Sequence, residues 1–147
     1  EWECPVRSWD VDLAPNGVHG IGPLKPEVLG ISDPSRIFLA AVFRPLKGEQ
    51  IIDVGFLARP KHLRLPNPKL SWKASGVDGE VAVAVSARNL AYGVYLRLPG
   101  SDAKFSDNFL TIMPGKTAEV RVTGRKINAA VVGKKLEVTW VKGGVSG

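Results

Sequence analysis

The sequence predicts an all-β chain: an immunoglobulin-like antiparallel β-sandwich, preceded by part of a second sandwich domain. Three observations carry this prediction. Sixteen glycines and eleven prolines punctuate the chain, and between them lie short runs rich in Val, Ile, Phe, Trp and Tyr, the pattern of strands joined by turns. Alternation of period 2 recurs in run after run. No window of a dozen residues sustains the 3.6 period of an amphipathic helix.

The first sixty residues hold four strand-like runs, at 1–13, 18–24, 36–43 and 49–58. The stretch PSRIFLAAV (34–42) is the one helix candidate, because Ala40 and Ala41 favour helix. Ile37, Phe38 and the following Arg-Pro-Leu argue instead for a buried strand, which is the reading adopted. A seven-strand sandwich needs about 100 residues. Residues 1–60 therefore read as the C-terminal strands of a preceding, incomplete β-sandwich domain. Its unpaired edges would call for another chain, an upstream fragment or a second copy to complete it.

The seam falls in RPKHLRLPNPKLSW (59–72). Pro60, Pro66 and Pro68 force extended backbone and remove ladder donors, as in a stiff connector or an edge strand. Residues 61–147 then read as a complete terminal immunoglobulin-like domain, with about six strand-like runs at the spacing of a sandwich. In EVAVAVSA (80–87), Val81, Val83 and Val85 share one face and Ala82 and Ala84 the other. YGVYLRL turns Val94, Leu96 and Leu98 inward, AEVRV groups Val120 with Val122, and KLEVTWV groups Leu136, Val138 and Trp140.

Composition narrows the function classes. Apolar residues make up 44 % and charged residues 23 %, values of a folded domain rather than a disordered one. The longest apolar runs, such as IFLAAVF (37–43), fall far short of the roughly 18 residues of a membrane span. The chain begins at Glu1 with nothing of signal-peptide form near it, and it reads as a piece of something longer. One cysteine, Cys4, excludes an internal disulfide and a cysteine zinc cluster. The net charge of +6 permits an acidic partner. However, the basic groupings GRKINAAVVGKK (124–135) and RPKHLR (59–64) are short and lack the interleaved aromatics that stack on bases, which disfavours nucleic acid.

Against this background DVGFLARPKHLRLPNPKLSW, VAVSARNLAYGVYLRL and FSDNFLTIMPGKTAEVRV resemble the C-terminal region of the β-mannosidases of glycoside hydrolase family 2 and related exo-β-glycosidases. The resemblance covers most of residues 36–122. It rests on a Leu-Pro-x-Pro connector, an Asn-Leu pair before a long strand, and an Asp-Asn-aromatic segment closed by a Pro-Gly turn. Ile112-Met113-Pro114-Gly115 stands where the family usually has Leu-Leu-Pro-Gly. The resemblance implies a parent enzyme with a catalytic barrel that hydrolyses β-mannosides with retention, through two glutamates of which the acid/base one follows an asparagine. Retention needs two carboxyl groups about 5 Å apart. None of the seven glutamates here (Glu1, Glu3, Glu27, Glu49, Glu80, Glu119, Glu137) follows an asparagine, so no catalytic residue is assigned. The implied role is that of a non-catalytic accessory portion whose partners are the barrel and neighbouring domains. An autonomous carbohydrate-binding module is the alternative.

Candidate sites are few. Asp107 and Asn108 read as hydrogen-bonding groups at the start of a strand, with Phe105 and Phe109 anchored in the core on either side, rather than as calcium ligands. His19 and His62 read as surface residues, and MPGKT as a tight turn rather than a phosphate-binding loop. No metal site and no cofactor are expected. The aromatics offer more: Trp72, Tyr92 and Tyr95 are the candidate sugar or interface contacts, with the two tyrosines on opposite strand faces so that one is exposed. Trp140 reads as core, and Trp2 and Trp9 complete the aromatic set.

Overall fold

The computed structural model describes residues 7–20, 22 and 29–141. Nine strands and one short α-helix follow one another: β1 (Phe38–Phe43), β2 (Ile51–Phe56), β3 (Ser71–Val77), β4 (Glu80–Ser86), β5 (Ala91–Arg97), β6 (Lys104–Phe105), β7 (Leu110–Ile112), β8 (Thr117–Thr123), α1 (Ala129–Lys135) and β9 (Glu137–Thr139). Strands β3-β4-β8-β6 form one sheet and β7-β5-β9 a second, while among the described residues β1 and β2 pair only with each other. A division into four and three strands is that of an immunoglobulin constant-type sandwich.

The core forms where the alternation places it. Val81, Val83 and Val85 of β4 and Val120 and Val122 of β8 face Ala91, Val94 and Leu96 of β5 and Ile112 of β7 in one cluster. Each fully buried valine or leucine contributes roughly 1.5–3 kcal/mol relative to an exposed one. The pairs Val81↔Val122, Val83↔Val120 and Val85↔Ala118 bring like side chains to the same face, so a one-residue slip would turn every valine to solvent.

A side chain, not a strand, makes one of the links within the second sheet. Asn108, just before β7, accepts from Leu96 N at 2.7 Å and donates through Nδ2 to Leu96 O at 2.9 Å. Its amide thus stands in for a peptide unit opposite β5 and satisfies both backbone groups of Leu96. Two residues further into the sheet β5 bulges: Ala91 pairs with Ile112 and Val94 with Leu110, so three steps along β5 match two along β7. Gly93 sits in the bulge at φ +61°, and a Cβ there would lie 2.9 Å from Val141 Cγ2.

Several sequence expectations change. An α-helix forms at 129–135, where none was expected. Asn128 caps α1 by accepting from Val131 N at 2.9 Å, and Ile127 and Val132 are buried. Seven residues are two turns, too few to display a 3.6 period; the signals present were the asparagine cap, the Ala-Ala pair and the terminal Lys134-Lys135. Residues 38–43 do form a strand, but Ala40, Ala41, Val42 and Phe43 are exposed, contrary to the buried strand expected. The reason is that β1 belongs to a hairpin that no third strand joins among the described residues. Of the two runs read as strands nearest the N-terminus, residues 7–13, 18–20 and 22 carry no strand; the remainder, with Trp2 and Cys4, lies outside the described residues. The connector is extended after a 3-10 turn at Pro60–His62, and it is packed rather than free: Leu63 and Pro68 are buried. Arg64 N donates to Ser35 O at 2.8 Å, which ties the connector back to the segment before β1.

Replacing Asn108 by alanine orphans two backbone groups of Leu96, and the expected loss is about 2 kcal/mol in urea unfolding. Asp107→Ala removes only a local bond to Asn108 N and is expected to cost less than about 0.5 kcal/mol. Equal costs would show that the Asn108 link is not structural. Glycine substitutions should divide by site in thermal melts. Gly93→Ala imposes a left-handed backbone on alanine and a clash with Val141, for a loss of at least about 1–2 kcal/mol. Gly133→Ala, inside α1 with nothing near its Cβ position, gains about 0.5–1 kcal/mol.

Candidate functional site

The outer face of the β7-β5-β9 sheet gathers exposed aromatic and polar side chains. Tyr95 alternates with the buried Val94 and Leu96 and therefore points outward. Its ring lies 5.0 Å from that of Phe109, tilted by 34°. The sequence reading had Phe109 anchored in the core. It is instead 72 % exposed, at φ +59°, whereas Phe105 packs against the core. Asn108, with its amide committed to Leu96, comes immediately before Phe109, and the chain enters β7 with Phe109 in the left-handed region and its ring outward. Leu110 then takes the inward position against the core. A bulky residue at positive φ is an outlier that costs roughly 1–2 kcal/mol.

Polar groups flank the pair. Thr139 of β9 lies directly across from Tyr95, and Glu137 lies across from Arg97. Arg97 Nε and Nη2 both donate to Glu137 Oε2, at 3.0 and 2.6 Å, and this bond holds the Arg97 guanidinium above its ordinary pKa. Exposed aromatic faces beside hydroxyl, guanidinium and carboxylate groups can stack on the C–H face of a sugar and bond its hydroxyls.

The other two aromatic candidates lie elsewhere. The bulge at Gly93 breaks the alternation on which the opposite-face argument for the tyrosines rested. Tyr92 is half-buried beneath Phe56, the last residue of β2, in an edge-to-face contact of 4.8 Å and 76°, so it joins the hairpin to the sandwich. Trp72 stands on β3 at the edge of the four-stranded sheet, across from the core residue Val85, and is 37 % exposed. The three residues singled out from the sequence are thus not brought together; Tyr95 has gained Phe109, and Tyr92 has gained Phe56. Trp140 is half-buried against the core, and Trp9 carries Arg7 over its ring at 5.3 Å.

Several ionisable groups are tied up in local structure. Arg125 draws the Asp102 carboxyl below its ordinary pKa by a hydrogen bond of 3.0 Å, and Ser35 does the same for Asp33 through both its hydroxyl and its backbone N–H. Glu80 is paired with Arg121 at 3.2 Å. Both histidines are exposed. Among the described residues no group of three or more His, Cys, Asp or Glu side chains could hold a metal ion, and no helix is long and apolar enough to cross a membrane.

The four-plus-three sandwich has a counterpart among known families. A family model described as an Ig-fold domain, Ig_mannosidase, matches residues 65–142, more than half of the chain and the whole of the sandwich as far as β9. No curated protein matches. The chain belongs to the Ig_mannosidase family of immunoglobulin-fold domains, which occurs in β-mannosidase-type enzymes of glycoside hydrolase family 2.

Proposed function

We propose that this chain is the non-catalytic C-terminal β-sandwich portion of a retaining β-mannosidase-like glycoside hydrolase, supporting a catalytic barrel that lies elsewhere in the parent protein. In this reading residues 1–60 contribute the last strands of a preceding sandwich domain and residues 61–147 are the terminal immunoglobulin-like domain. The observation that carries it is the match of the sandwich to the mannosidase-associated family. The hairpin adds support. Its face made by Phe38, Ala40, Val42, Ile52, Val54 and Phe56 is wholly apolar, while the opposite face mixes Leu39, Ala41, Phe43 and Ile51 with Asp53 and Gly55. A strand face that is apolar throughout is built to be covered, which suits a contact with neighbouring domains or with another chain that completes the sandwich. Glu80 and Glu137 fit a supporting role too, since each is held by an arginine.

The pure chain is expected to release no aglycone from an aryl β-mannoside above the uncatalysed rate. Measurable turnover that survives repurification would overturn the accessory reading.

One observation favours a second reading, an autonomous carbohydrate-binding module: the exposed Tyr95–Phe109 pair. If the pair is a sugar platform, calorimetric titration with manno-oligosaccharide saturates, and Phe109→Ala abolishes binding while changing stability by less than about 1 kcal/mol, because the ring is 72 % exposed and the left-handed backbone costs alanine as much as phenylalanine. A flat titration removes this reading. A stability loss of several kcal/mol would instead make Phe109 a structural residue.

A further inference from the structure

We propose that a cleft at one end of the four-stranded sheet binds a tetrahedral oxyanion, the phosphate or sulfate group of a small ligand. The cleft, of about 310 Å³, is lined by three cations, Lys69, Arg88 and Lys116, and three hydroxyls, Ser71, Ser86 and Thr117. The hydroxyls are consecutive across β3, β4 and β8, in the register Ser71↔Ser86↔Thr117, on the outer face of the sheet. Ser86 Oγ and Thr117 Oγ1 are 2.7 Å apart. Their mutual bond uses one hydroxyl hydrogen and leaves the other free to donate outward.

The cations stand far apart in sequence, and three turns bring them to the same place. Arg88 N and Asn89 N both donate to Pro68 O, at 2.9 and 3.2 Å, and Asn89 Nδ2 donates to Asn67 O at 2.7 Å, which locks the turn after β4 to the connector before β3. Ala87 N donates to Lys116 O at 3.1 Å and Gly115 N to Ala87 O at 2.8 Å, which locks the same turn to the Pro-Gly turn before β8. Lys69 is held at φ +49°, its N–H bound to Asn67 Oδ1 at 2.8 Å. The side chains thus project from a fixed backbone. Among the described residues none of the three cations is in an ion pair, and no carboxylate lines the cleft. The nearest acidic group in register is Glu119, one outward row along, in a row it shares with Lys73.

Lysine and arginine donate and never accept, so the cleft offers donors suited to a ligand that only accepts. Because the donors arrive from three separate segments rather than from one planar fork, they match oxygens spread in three dimensions better than a flat carboxylate. The charges are exposed, so binding is weak and salt-sensitive, with a Kd on the order of 1 mM.

The test is amide NMR of the full chain, titrated at constant ionic strength with inorganic phosphate, inorganic sulfate and a hexose phosphate, with chloride as control. The expected result is saturable shifts of Ala87, Lys116 and Thr117 with the oxyanions and not with chloride, at least tenfold weaker in Lys69→Asn/Arg88→Gln/Lys116→Gln. Asparagine is chosen at position 69 because it tolerates positive φ. Should the triple variant not fold, Arg88→Gln alone must weaken binding several-fold. Tighter binding of the hexose phosphate than of free phosphate assigns the group to a sugar ester, and equal binding assigns it to the free anion. Shifts that are linear, equal with chloride, or unchanged in the variants overturn the proposal.

Discussion

The burial of the β4 and β8 valines against β5 is the interaction on which the rest of the molecule depends. Val81, Val83, Val85, Val120 and Val122 are fully buried, and they are drawn from only two neighbouring strands. Their register leaves the alternate positions of the same strands outside, and so decides which side chains meet solvent. Ser86 and Thr117 come together on the outside because Val85 and Val122 point inward. Tyr95 and Arg97 reach the opposite surface because Leu96 lies between them in the core. Both candidate surfaces of the protein are by-products of one packing solution.

A second constraint acts at the start of β7. β7 is only three residues long, too short to hold its place through ladder bonds alone, and the Asn108 amide supplies the extra link to Leu96. Phe109 follows that link at positive φ with its ring outward. A residue that serves stability at one position is thus followed by an exposed ring at the next, and the energetic cost of positive φ is borne by the strength of the amide bonds beside it. The β1–β2 hairpin is a contrasting case. It meets the sandwich through Phe56 and Tyr92, yet leaves Ala40, Ala41, Val42, Phe43 and Ile51 exposed. A two-stranded hairpin is marginal by itself, and a surface of this kind is suited to a larger assembly such as a multidomain glycosidase.

Much of the fold was legible in the residues. The valine alternation of β4, the inward set of β5 and the pairing of Val120 with Val122 could be read directly, because a half-buried strand writes its orientation into period 2. The Leu-Pro-x-Pro, Asp-Asn-aromatic and Pro-Gly motifs led to the family. Other features left a weaker trace. Helix α1 is two turns long and shows only its cap and its terminal lysines. Phe109 looks like any core phenylalanine, since alternation says nothing of a backbone at positive φ. The bulge at Gly93 shifts the phase of β5, so the opposite-face argument for Tyr92 and Tyr95 did not apply.

By itself, then, the sequence determined the all-β class, the inward and outward faces of the long strands, and the mannosidase-type family. These follow from local periodicity and from short motifs, which are properties of neighbouring residues. Only the tertiary structure decided what converges across the chain: Phe109 on Tyr95, Phe56 on Tyr92, and Lys69, Arg88 and Lys116 around one row of hydroxyls. Those juxtapositions depend on which turns hydrogen-bond to which, and long-range pairing of that kind is set by the packing of the two sheets rather than by the order of residues within any one strand.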